Sequence, residues 1–134
     1  MTSHIYDTGI TTALNAYGAL MNSGFLKVYT GAQPAVDAGV TGTLLASLSM
    51  SATAFQTAGA AGSGGSMTAN TITAATAGAT GTAGYFALFK SDNATVVSTG
   101  ACATSAAELN FNTTSISAGD TVSVSSFVVT QAQP

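Results

Sequence analysis

Charge is what this sequence has least of. Only 5% of its 134 residues are Asp, Glu, Lys or Arg, against about 25% in ordinary soluble domains, and Lys27 and Lys90 are the entire basic complement. Two lysines within a net charge of -3 cannot furnish the positive footprint that a phosphate backbone requires, so nucleic acid is excluded as a partner. The same shortage excludes polybasic attachment to a membrane. No run of about 18 apolar residues occurs, because Ser or Thr interrupts each apolar stretch, so no membrane span is expected. A single cysteine, Cys102, cannot close an internal disulfide, and it reads as a small apolar core residue. The N-terminal MTSHIYDTG lacks the pattern of a secretory signal, which predicts folding in the cytosol of the producing cell.

Catalytic chemistry is scarce for the same reason. Besides hydroxyls, the strong acid-base and nucleophilic groups are His4, Cys102, Asp7, Asp37, Asp92, Asp120, Glu108, Lys27 and Lys90. A triad or a Cys-His pair would need His4, which sits in an N-terminal arm with nothing to hold it in reach of a nucleophile. Asp37, Asp92 and Asp120 stand in turn signals, where Asp favours the backbone geometry, and Glu108 reads as a solvated charge at a strand entrance. One histidine, one cysteine and scattered acids match no metal-ligand spacing. The glycines in GAAGSGGS and at Gly78, Gly81 and Gly84 lack the following Lys-Ser/Thr or strand-to-helix context of a phosphate loop. The expectation is a non-enzyme without cofactor or metal.

What the sequence does have is apolar and hydroxyl residues in short runs. The densest, Tyr85-Phe86-Ala87-Leu88-Phe89, leads through Ser91-Asp92-Asn93 into Thr95-Val96-Val97, which reads as a β-hairpin. Tyr85, Ala87 and Phe89 face one way and Phe86 and Leu88 the other, so this strand is predicted to be covered on both sides, by a second sheet or by a neighbouring molecule.

Upstream, Asp7 or Thr8 caps a helix predicted over 8–23, with Ile10, Ala13, Leu14, Tyr17 and Leu20 or Met21 at helical spacing and Gly24 as the stop. Phe25-Leu26-Lys27-Val28-Tyr29 is a strand whose lysine marks an exposed position or an edge. Residues 30–42 are turn and loop. In the strand 43–50, Leu44, Ala46, Leu48 and Met50 share one face, and Leu45, Ser47 and Ser49 the other. Residues 52–65 read as a flexible loop, and 67–75 as a strand centred on Ile72. Beyond the hairpin, Leu109 and Phe111 open another strand, and Ser117-Ala118-Gly119-Asp120 is a turn. In the last strand Val122 and Val124 lie on the opposite parity from Phe127 and Val129, which predicts a bulge at Ser125-Ser126.

Together these readings give an all-β fold: an antiparallel β-sandwich or jelly-roll-like domain over residues 7–134 with one N-terminal α-helix, preceded by an arm of residues 1–6. A neutral, hydroxyl-rich surface offers little protection against self-association, so a homo-oligomer is expected.

The stretches LKVYTGAQPA, VTGTLLASLSM, TANTITAATAGATGTAGYFALFKSDNATVV and AELNFNTTSISAGDTVSVSSFVVT, following a helix, resemble a family of small structural proteins of tailed bacteriophages and prophages. The resemblance implies a virion component. Within that class the preferred expectation is a capsid decoration or cement protein on the outer capsid surface, with the major capsid protein as partner. Its contacts would come from the arm at His4, Ile5 and Tyr6 and from loops at Gln33-Pro34 and residues 59–65. The alternatives are a tail or head-tail component, or a carbohydrate- or receptor-binding module.

Overall fold

The computed structural model describes residues 4–60, 64–105 and 109–132. Met1, Thr2 and Ser3 of the arm, residues 61–63 of the Gly/Ala-rich loop, and Glu108 lie outside the described residues. Helix α1 (Asp7–Ala19) is followed by β1 (Phe25–Thr30), β2 (Leu44–Met50), β3 (Gly59–Ala60), β4 (Gly64–Thr68), β5 (Ile72–Thr73) and β6 (Ala75–Thr76). Then come β7 (Gly81–Phe89), β8 (Val96–Ala101), β9 (Leu109–Phe111), β10 (Ser115–Ile116), β11 (Thr121–Val122) and β12 (Val124–Ala132).

All pairings between these strands are antiparallel. A six-stranded sheet runs β10-β7-β1-β2-β5, with β8 also on β7, and a four-stranded sheet runs β3-β4-β12-β9. The two sheets and α1 close one apolar core, giving the expected all-β, sandwich-like fold with an N-terminal helix. Phe127 of β12 joins the layers: its ring meets Phe86 of β7 edge-on at 5.9 Å and Phe55 at 5.3 Å.

Helix α1 buries Ile10, Leu14 and Gly18, spaced four apart, against β4. Gly65 permits this approach, since a Cβ there would stand 3.2 Å from Leu14 Cδ1 and Thr11 Cγ2. The helix ends at Ala19, earlier than the 8–23 expectation. Its exit tightens into i→i−3 bonds, Leu20 to Tyr17 and Met21 to Gly18, which swing Met21 fully into the core. Ser23, at φ 55°, takes the left-handed position, while Gly24 is needed for close passage, since a Cβ there would lie 2.2 Å from the Phe89 carbonyl oxygen.

Three further expectations are corrected. The face assignment of β2 fails at its start, because β1 pairs Val28 with Ala46 but Tyr29 with Leu44. The extra residue sends Leu45 into the core and leaves Leu44 exposed. The Gly/Ala-rich segment is not a loop throughout: β3 pairs with β4, flanking residues 61–63. The strand predicted over 67–75 is broken, since β4 ends at Thr68 and Ile72–Thr73 and Ala75–Thr76 pair with β2 and β11. The bulge expected in the last strand is present, as a register shift between Val124 and Ser126.

Candidate interaction surface

The hairpin supplies the geometry from which the surface is built. Phe86 and Leu88 point into the shared core, and Tyr85, Ala87 and Phe89 form a second apolar cluster with Tyr29 on the opposite face of the sheet. This outer cluster is covered by the chain itself, neither by a second sheet nor by a neighbour. Tyr85 is 0% exposed, and its hydroxyl donates to the Thr41 carbonyl and accepts from the Thr41 N–H at 2.8 Å. Val40 packs on the cluster, and Tyr29 stacks on Tyr85 at 5.3 Å. Burial, and secondarily Tyr85, holds the Tyr29 phenol above its ordinary pKa of 10.0. Lys27 is not an edge residue: β1 lies between β2 and β7, and the ammonium sits 4.4 Å from the centre of the Phe89 ring.

The covering segment, residues 31–42, is a loop whose ends are tied together. Thr30 N–H bonds the Thr43 carbonyl, and Thr43 N–H bonds Thr30 Oγ1. Gly31 and Gly42 bracket it at φ 90° and 86°. Midway, Gln33 Nε2 donates to Thr99 Oγ1 on the outer face of β8 at 3.0 Å, and Pro34 is half-buried. The tip is Val36, 92% exposed. Between this loop and β8 lies a recess of about 540 Å³.

The arm occupies a different place. Tyr6 precedes the helix in extended conformation and its carbonyl accepts the Gly9 and Ile10 N–H groups, while its ring is 79% exposed. Ile5, 48% exposed, lines a groove of about 910 Å³ between α1 and the end of β12, with Ala13, Tyr17, Val129 and Ala132. His4 is exposed beside it. His4, Ile5 and Tyr6 therefore stand at the helix, and Gln33 and Pro34 on the outer face of the six-stranded sheet. The two sets do not form one site. No sequence signal separates the exposed Val36 from Val40, which lies in the same turn-rich TGAQPAVDAGV and packs on the outer cluster.

The described aspartates are used by the backbone, and Asp7 Oδ1 accepts from Gly64 N–H. Asp92 accepts from the Thr95 hydroxyl and from the N–H groups of Thr95 and Ala94, and these bonds, the hydroxyl's foremost, lower its pKa to about 2. Asp120 Oδ2 accepts from Ser117 N–H, and Asp37 holds a positive φ of 63°. Cys102 is packed against the core, and burial pushes its thiol up to about 12. Among the described residues no three His, Cys, Asp or Glu side chains gather as a metal site would require. Comparison of the chain with family models, curated proteins and solved structures finds no match.

Proposed function

We propose that this chain is a non-enzymatic structural protein of a bacteriophage virion, a decoration protein that binds the outer shell in many copies and stabilises it. The observation that carries the reading is the character of the projecting side chains. Tyr6 and Val36, the most exposed large apolar groups among the described residues, stand on a surface with almost no charge and are backed by the apolar core. Apolar groups projecting from a neutral frame are suited to dry contact with a large partner. The sequence resemblance to phage structural proteins supplies the partner class, the major capsid protein. Stabilisation follows from mass action: a ligand held at about 100 times its Kd adds about 2.7 kcal/mol to the state it binds.

The test is the copy number of this protein in purified virions, measured by quantitative mass spectrometry against the major capsid protein. A ratio near one, or a simple fraction of it, is expected. A few copies per particle would move the protein to the tail or a vertex, and absence from particles would overturn the reading.

A further inference from the structure

We propose that β8 is a pairing edge through which two copies of this chain join, antiparallel, to continue the six-stranded sheet across a two-fold axis. The inference goes beyond the proposed function: the neutral, hydroxyl-rich surface leads to the expectation of a homo-oligomer, and β8 is the surface that would form it.

Strand β8 lies at a sheet margin along its whole length, pairing with β7 alone. The other marginal strands of the two main sheets, β3, β5, β9 and β10, have two or three residues against six in β8. Cys102 N–H bonds the Gly84 carbonyl at 3.4 Å, so by antiparallel alternation Gly100 and Ser98 turn their backbone groups to β7, and Thr99 and Ala101 turn theirs outward. Among the described residues no hydrogen bond reaches those outward groups. The strand is nevertheless held in shape on both faces, by Tyr17 Oη donating to Ser98 Oγ at 2.7 Å and by Gln33 on Thr99.

Natural edges are usually blunted by lysine, proline or a bulge. Here the bulge falls at Val97, where Leu88 pairs with Ser98 but Phe89 with Val96, and it leaves 98–101 regular. No lysine or proline interrupts that stretch.

The occupant that fits is a second β8. The strand carries no charge, so meeting itself antiparallel opposes no like charges. With Gly100 on the two-fold axis, each Thr99 exchanges backbone bonds with Ala101 of the second copy, and the two glycines face each other without a clash. The recess beside the edge is of mixed character: Ala35, Val36, Val96 and Val97 line it together with the polar Gln33 and Asp37 of the loop, which suits the small Thr, Gly and Ala of an incoming strand. A closed two-fold contact of this kind uses the same patch on both copies and terminates growth.

Two measurements on the purified full chain test this. Light scattering should give a dimer. The double variants Thr99→Lys/Ala101→Lys and Thr99→Asp/Ala101→Asp should each weaken it by about tenfold or more, because residue 99 of one copy stands directly opposite residue 101 of the other, and mixing the two variants should restore a one-to-one heterodimer. Amide exchange of the wild-type protein, followed residue by residue, should show Thr99 and Ala101 protected, with protection rising as protein concentration rises. This readout needs no variant to fold. A monomeric wild type, a dimer indifferent to both double variants, or free exchange at Thr99 and Ala101 would overturn the inference. A β8-paired dimer absent from virions would sink the virion reading alone, whereas a monomer abundant in virions would sink this inference alone.

Discussion

On the inner face of β7, Phe86 and Leu88 meet a second sheet, whereas on the outer face Tyr85, Ala87 and Phe89 meet a loop of their own chain. The inner cover is made of strands in hydrogen-bonded ladders and draws on residues from α1 to β12. The outer cover is residues 31–42 and the Lys27 side chain, tied down by one tyrosine hydroxyl, one glutamine amide and the knot at Thr30 and Thr43. Both covers exclude water, but they should fail differently. Loss of the inner face removes the fold. Loss of the outer one should free a loop over a sheet that remains assembled, because local opening follows the number of contacts that must be broken.

The largest effect should come from the inner face. Phe86→Asp or Leu88→Asp would bury an unpaired charge at a cost of several kcal/mol, against a total stability of about 5–15 kcal/mol. Neither variant should yield folded protein by circular dichroism, and an unchanged melting temperature in both would break the comparison. Gly84→Ala probes the loop from below. Its new methyl would stand 1.8 Å from the Gly31 carbonyl oxygen, so the loop must lift, at about 1–3 kcal/mol, with faster proteolysis within residues 31–42 than elsewhere. Tyr85→Phe is subtler. It leaves the stacked ring but strips Thr41 of its partner, which should cost about 1–3 kcal/mol and speed exchange of the Thr41 amide, while amides of β4 and β12 keep their protection. Lys27→Met keeps the aliphatic stem over Phe89 and removes the charge, and should lower stability by only about 0.5–1 kcal/mol.

The hairpin turn gives the smallest and most local signal. Because the folded pKa of Asp92 is about 2, below its ordinary 3.8, the carboxylate favours the closed turn above that ordinary value. The contribution is lost as pH falls through about 2. Amide shifts of Ala94 and Thr95 should titrate together with a midpoint near 2, and a midpoint near 3.8 would mean that their bonds to Asp92 are absent in solution.

The inner face was legible in the sequence because parity alone divides Tyr85, Ala87 and Phe89 from Phe86 and Leu88, and parity is a backbone property. The same logic located the bulge near Ser125, where two apolar pairs fall out of phase. It failed at Leu44-Leu45, because two adjacent leucines satisfy either phase and only the partner strand decides. The outer cover was not legible. A sequence pattern shows that a face must be hidden, but the segment 31–42 announces only turns, and its use depends on Tyr85, far along the chain, presenting a hydroxyl to Thr41. For the surface, exposed Ile5 and Tyr6 followed from their place ahead of the helix, whereas Gln33 spends its amide on Thr99 and yields the tip to Val36. The β8 edge required the full strand order, which no local pattern contains.

The most direct test of this account is a set of proton-proton NOEs recorded on the isolated protein between the Tyr85 ring and the backbone of Thr41. Strong NOEs, persisting at dilutions where only monomer is present, are predicted, since the outer face is closed within one chain. Their absence, with random-coil shifts across residues 31–42, would show that the loop does not cover this face and that a neighbouring molecule must.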